Sequence, residues 1–180
     1  MSSRNIDLKL LECDKALEND QVEAALDLLD EILEENPKCA AAHNTLGWIY
    51  KQKFSDREKA ENHYKLAIQF DENYGYSYEN YMFLLRDLGR LEDLGKLIEK
   101  AEKVSQVSKR TLFDEKGSYY ELRGDYTKAI ENYKEAIKMS LNNDNDDLKD
   151  HIKRCQTKIN IFSRNRIIKA FRALLGFDDI

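Results

Sequence analysis

A set of small and large residues returns every 34 or 35 positions along this chain, and a period of that length constrains the fold more than any other feature of the sequence. Ala60, Tyr64 and Ala67 recur as Ala129, Tyr133 and Ala136, while Ala25, Leu29, Ile32 and Leu94, Ile98, Ala101 fill the same slots. The slots begin at residues 25, 60, 94 and 129, at intervals of 35, 34 and 35. Steps of four and three place each set on one face of a helix. A second helical set precedes three of them: His43, Leu46, Gly47, Tyr50; Tyr78, Tyr81, Met82, Leu85; and Phe113, Lys116, Gly117, Tyr120. Turn residues separate the two helices of each unit at Asn19-Asp20, Ser55-Asp56, Leu88-Gly89-Arg90 and Arg123-Gly124-Asp125. A helix, turn, helix unit cannot bury its apolar face alone, so such units stack.

Gly117, Tyr120, Gly124, Tyr126, Ala129, Tyr133 and Ala136 in the last unit, and Gly47, Tyr50, Ala60, Tyr64 and Ala67 in the second, resemble the small and large positions of the tetratricopeptide repeat family. Pro37 stands where that family stops a helix. The resemblance covers roughly residues 6 to 140. It implies an all-α, right-handed superhelix of four antiparallel helix hairpins at about 6–39, 40–74, 75–109 and 110–141, followed by a capping helix at 145–162 and a basic amphipathic segment at 163–180. Three departures are expected to alter the local geometry. The second unit has one extra residue in its turn, within Lys53-Phe54-Ser55-Asp56-Arg57. The third has Met82 for the usual glycine and Leu94 for the usual alanine, which should widen the spacing of its helices. The first carries Glu12 and Cys13 at its packing slots, as a terminal unit can.

A formal charge of −5 argues against general affinity for nucleic acid. The charge is unevenly placed: residues 151–177 hold seven basic residues and no acidic one, which leaves −12 for the rest. Cys13, Cys39 and Cys155 are an odd number without C-x-x-C spacing, so no disulfide framework or zinc site is expected, and a reducing, cytoplasmic setting fits best. The N-terminus lacks the apolar stretch of a signal peptide. No run approaches the roughly 20 apolar residues that span a bilayer.

After the polar run at 142–147, Leu148, Ile152, Cys155, Ile159 and Phe162 mark an amphipathic helix that should cap the array, with Lys153, Arg154 and Lys158 on its solvated side. Farther on, Ile167, Ile168, Phe171, Leu174 and Leu175 share one side of a helix, while Arg166, Lys169 and Arg172 lie on the other. Such a segment packs on its own array, meets a partner or a second copy, or lies on an anionic membrane. The sequence leaves these alternatives and the oligomeric state open. Its charge also fits an internal ligand that competes for an acidic groove.

The resemblance implies a ligand groove lined by the first helix of each hairpin. Stepping three and four residues from the core faces selects Asp14, Asn44, Trp48 and Lys51, then Tyr76, Glu79, Phe83, Arg86 and Asp87, then Asp114, Ser118 and Glu121, with Asp7, Leu10 and Glu18 at the start. Carboxylates outnumber cations there, and Trp48, Tyr76 and Phe83 interrupt them, a surface suited to peptides that mix basic with apolar residues. Some family members hold a terminal carboxylate with a lysine, asparagine and arginine clamp. The matching positions here are Leu10, Asp14, Thr45, Tyr76 and Asn80, so an acidic tail is not expected to bind.

No catalytic constellation is expected. His43, His63 and His151 lie on separate elements, with His63 placed on the outward side of its helix, and no phosphate-cradling or nucleophile-elbow motif occurs. Cys13 and Cys155 occupy apolar helical slots, and Cys39 precedes a helix start. No metal and no cofactor is implied. The expected function is protein binding as an adaptor. The alternatives are a small secretion-type chaperone that shields a client segment and a peripheral scaffold docked on a membrane through the C-terminal helix.

Overall fold

The computed structural model describes residues 3–140 and 145–174, with side chains at 5–140, 145–167 and 169. Among the described residues there are nine α-helices and no strand: α1 (Ser3–Glu18), α2 (Val22–Glu35), α3 (Ala40–Gln52), α4 (Arg57–Phe70), α5 (Gly75–Asp87), α6 (Leu91–Ala101), α7 (Lys109–Leu122), α8 (Tyr126–Lys138) and α9 (Asp146–Leu174). They form two compact units, Met1–Ser108 with three hairpins and Lys109–Ile180 with the fourth hairpin and α9.

Each hairpin turn closes on one residue in the left-handed region, Asp20 (φ 59°), Ser55 (φ 55°), Gly89 (φ 67°) and Gly124 (φ 78°). In three of the turns an amide donates to the carbonyl five residues back: Gln21 to Ala16 at 2.8 Å, Arg90 to Leu85 at 3.0 Å, and Asp125 to Tyr120 at 2.9 Å. The second turn makes the corresponding bond from Asp56 to Tyr50, six residues back, at 2.9 Å. The extra residue is thus absorbed in the turn and does not shift α4 along α3. Asp56 and Asp125 then cap their helices, their carboxylates accepting from the amides of Lys59 (3.0 Å) and Lys128 (3.2 Å).

Within the hairpins, volume is exchanged across matching slots. Gly47 faces Tyr64, and a Cβ added at Gly47 would stand 2.6 Å from the Tyr64 ring; at Gly117 the same atom would stand 2.5 Å from the Tyr133 ring. Both tyrosines are fully buried. In the third hairpin the pair of slots holds Met82 and Ile98, and in the first Cys13 and Leu29, so a smaller side chain on the second helix accompanies a larger one on the first. Cys13 is fully buried while Glu12 is exposed, so the cysteine is the packing residue of α1. Burial pushes the Cys13 and Cys155 thiols up to about 11. The third hairpin is the less closely packed one: α5 and α6 meet less extensively than α3 with α4 or α7 with α8, as the bulk at Met82 and Leu94 leads one to expect.

In the second unit, Leu148, Ile152 and Cys155 of α9 pack on Ala129, Tyr133 and Ala136 of α8. The helix does not end where this stripe ends. At 29 residues it runs unbroken through Ser163, Arg164 and Asn165, so the capping helix and the basic segment as far as Leu174 are one element. Ile161, Phe162 and Ile167 on its later turns are exposed. Arg154 and Lys158, expected on the solvated side, instead reach Glu121 of α7 at 2.6 Å and 3.3 Å. No described helix is long and apolar enough to cross a membrane.

Candidate functional site

The first helices of the three hairpins in the first unit enclose a groove of about 480 Å³. Asp14, Leu17 and Glu18 of α1 form one wall, Asn44, Thr45 and Trp48 of α3 the floor, and Asn80 of α5 the far side. These residues meet because α1, α3 and α5 each turn their cores toward their own second helix, which leaves the opposite turn of each helix facing the groove.

Two chemical features stand out. Asp14 and Glu18 lie one helical turn apart, both exposed, and neither makes an ion pair with any described residue. Partial burial, and after it the neighbouring Glu18, raise the Asp14 carboxyl above its ordinary value. Beside them, the Asn80 amide donates to the Asn44 side-chain oxygen at 3.0 Å, which leaves the Asn44 NH2 and the Asn80 carbonyl oxygen free to meet a peptide backbone. Trp48 is half-buried, its inner edge packed on the core shared by the first two hairpins and its remaining surface lining the groove. The Lys53 ammonium, which pairs with Asp20, lies over the Trp48 ring at 6.0 Å from its centre.

Of the residues selected from the sequence, Asp14, Glu18, Asn44 and Trp48 come together in this groove. Lys51 and Asp87 satisfy one another at 2.9 Å, bridging α3 and α5, and Arg86 stacks over Phe83 at 5.2 Å. Tyr76 is 64% exposed, with its ring 5.8 Å from Tyr74. Glu79 accepts the Ser108 amide at 2.8 Å and so ties α5 to the loop after α6. Asp114, Ser118 and Glu121 belong to the second unit. Asp114 is half-buried, while Ser118 and Glu121 are 8% exposed.

Glu121 is committed inside its own unit. Its carboxylate accepts from Arg154 Nε at 2.6 Å and Nη2 at 2.8 Å, from Lys158 at 3.3 Å and from the Tyr133 hydroxyl at 3.0 Å. The side chain resists burial of its charge, yet these donors hold it down to about 2. Of the C-terminal face, Ile167 is exposed, whereas the side chains of Ile168, Phe171 and Leu174, and the whole of Leu175, lie outside the described residues. Leu17, Thr45 and Asn80 also line the groove, though the steps from the core faces do not select them. Thr45 and Asn80 fall at the clamp-equivalent positions, 35 residues apart, and that repeat is the signal in the sequence that could identify them.

The histidines are less separate than their positions along the chain. His63 is turned inward, not outward: its Nδ1 lies 3.1 Å from Nδ1 of His43, its ring stacks on His43 and Tyr50, and His43 Nε2 lies 3.1 Å from the Pro37 carbonyl oxygen. The carbonyl can only accept, so His43 carries its proton on Nε2 and accepts at Nδ1 from His63. The cluster sits inside the second hairpin.

No protein-family model matches the sequence, and no curated protein does either. The similarity is structural. The chain matches the structure of PilF from Pseudomonas aeruginosa at a TM-score of 0.77 and 18% identity, over 89% of this chain and 72% of that one. It matches PilW, a widely conserved type IV pilus biogenesis factor, at 0.70 and 14%, over 97% and 80%. It matches a thermophilic tetratricopeptide repeat protein of Thermus thermophilus at 0.66 and 19%, over 86% and 82%.

Proposed function

We propose that this chain, which has the tetratricopeptide repeat fold, is a protein-binding adaptor whose first three hairpins hold an extended or helical segment that mixes basic with apolar residues. The observation that carries this reading is the placement of two uncommitted carboxylates, Asp14 and Glu18, beside the half-buried indole of Trp48. An aromatic face anchors an apolar side chain, the carboxylates attract lysine or arginine, and the Asn44 and Asn80 amides meet the backbone. An acidic segment would be repelled by the same wall. The neighbouring fold supports protein binding in general, and the free thiols of Cys13, Cys39 and Cys155 favour a reducing, cytoplasmic setting.

A comparison of co-purifying proteins between wild type and the Asp14→Lys/Glu18→Lys variant tests this. Both residues are exposed, so the variant should keep its fold, and partners held by the groove should be lost. A partner set unchanged by the double reversal sinks the reading. Glu79 would be a poor choice for such a test, because its carboxylate supports the Ser108 turn.

One observation favours a second reading, a scaffold docked through its last helix: Ile161 and Ile167 are exposed on α9 among Arg164, Arg166 and Lys169. Sedimentation with anionic vesicles, compared with an Arg164→Glu/Arg166→Glu/Lys169→Glu variant, separates the two. Pelleting that the variant does not lose excludes the scaffold.

A further inference from the structure

The same unit carries a second groove, on the side of the second helices, where the third hairpin departs from the repeat pattern. It encloses about 430 Å³ between α4 and α6. Its floor is apolar, made by the partly exposed Ile68 over the buried Tyr81, Leu85 and Leu97. The opening follows from the sequence. The third hairpin replaces the alanine and tyrosine of the second helix with Leu94 and Ile98, α5 and α6 pack less closely, and α6, at 11 residues, is the shortest of the described helices.

An ion network fixes the edges of this groove. Glu61 of α4 accepts from the Tyr81 hydroxyl at 2.8 Å, from Arg90 at 2.6 Å and from Lys65 at 2.7 Å, while Arg90 also holds Asp93 at 2.6 Å. Those donors hold the Glu61 carboxyl down to about 2. The charges of Lys65 and Arg90 are thereby engaged. Lys96 and Lys100, one turn apart on α6, make no ion pair with any described residue, and both line the groove. Glu72 stands at the rim as the one lining carboxylate outside the network. A cationic wall over an apolar floor is unusual on a chain with net charge −5.

We infer that the groove between α4 and α6 is a second docking site, for an acidic amphipathic segment of a partner protein, with Lys96 and Lys100 pairing its carboxylates and Ile68, flanked by the aliphatic stems of the lining lysines, receiving its apolar face. The spacing of the two lysines matches carboxylates one helical turn apart, which points to a helix laid in the groove. A small anion has no use for the floor. A second copy of this chain offers one strongly acidic helix, α2, but that helix already buries Ala25, Leu29 and Ile32 fully in its own hairpin. The adaptor would then carry two grooves of opposite preference, one for basic and one for acidic segments, and this site stands whether or not the first groove does.

The probe is a fluorescein-labelled helical peptide of leucines and glutamates at helical spacing, followed by anisotropy with the full chain, against the same peptide with lysine for glutamate. The acidic peptide should bind the wild type and the Trp48→Ala variant alike, and bind Lys96→Glu/Lys100→Glu at least about tenfold more weakly. Lys96→Gln/Lys100→Gln should fall between. Both lysines are exposed, so neither change reaches the core. Any of four results overturns the site: no binding of the acidic peptide up to about 1 mM, equal binding of the lysine peptide, binding indifferent to both double variants, or self-association of the chain that the charge reversal abolishes.

Discussion

Replacing Glu121 with glutamine should loosen α9 from the fourth hairpin without disturbing the first unit. The carboxylate is 8% exposed and receives four donor contacts, three of them from Arg154 and Lys158 of α9. Its value of about 2, against an ordinary 4.5, means that the folded unit binds this proton more weakly than the unfolded chain. The contribution to stability is therefore fully present above pH 4.5 and lost as the pH falls toward 2. At neutral pH the shift corresponds to about 3 kcal/mol. Arg154 and Lys158 are 49% and 41% exposed, so water recovers part of what the variant loses, and about 2 kcal/mol is the expected cost. Hydrogen exchange of the α9 amides between 148 and 158 reads this directly, because it reports the opening of a local element. Protection should drop by roughly thirtyfold in the variant at neutral pH, with the amides of α1 to α6 unchanged. Wild-type protection, corrected for intrinsic exchange, should fall between pH 4.5 and 2, and the variant should lack that step. Equal protection of α9 in the two proteins at neutral pH would refute the reasoning.

Gly117→Ala places a methyl 2.5 Å from the buried Tyr133 ring; the clash of about 1–3 kcal/mol outweighs the roughly 1 kcal/mol gain in helix propensity, and thermal unfolding should show the lower midpoint. At the matching position of the third hairpin the requirement reverses, and Met82→Ala should cost about 2–5 kcal/mol by leaving a cavity. Burial first, then His43 and Lys59, holds His63 below its ordinary 6.5, so the folded hairpin disfavours its proton and loses stability as the pH falls below about 6.5. Urea titrations at pH 7.5 and 5.5 should show that loss in the wild type and a smaller one in His63→Phe.

The repeat was legible because its slots are set by packing between neighbouring helices, which the spacing of Gly47, Tyr64, Gly117 and Tyr133 records directly. The residue inserted in the second turn was visible too, since turn residues flank it, although its absorption through an Asp56 to Tyr50 hydrogen bond was not. The groove was legible where one helical face decides the matter, as for Asp14, Asn44 and Trp48. Periodicity could not show which carboxylates are already spoken for. Glu121 lies on the selected face of α7, but Arg154 and Lys158 arrive from 33 and 37 residues away. His63 likewise lies off the slot set of α4, and only the placement of His43 and Tyr50 on α3 turns it inward. The groove under Lys96 and Lys100 depends on how far α5 and α6 separate. The departures at Met82 and Leu94 announced that separation without giving its location or its charge.

Trp48 is the only tryptophan of the chain, so its fluorescence reports on the proposed peptide groove without a label. A titration of the full chain with a peptide of residues 163–175, which mixes four basic residues with apolar ones, tests the central claim most directly. The expected result is a saturable change in Trp48 emission that is weakened by salt and abolished in Asp14→Lys/Glu18→Lys, with no change on addition of the leucine and glutamate peptide. A flat response to the basic peptide, or the same response in the charge-reversed variant, would contradict the account.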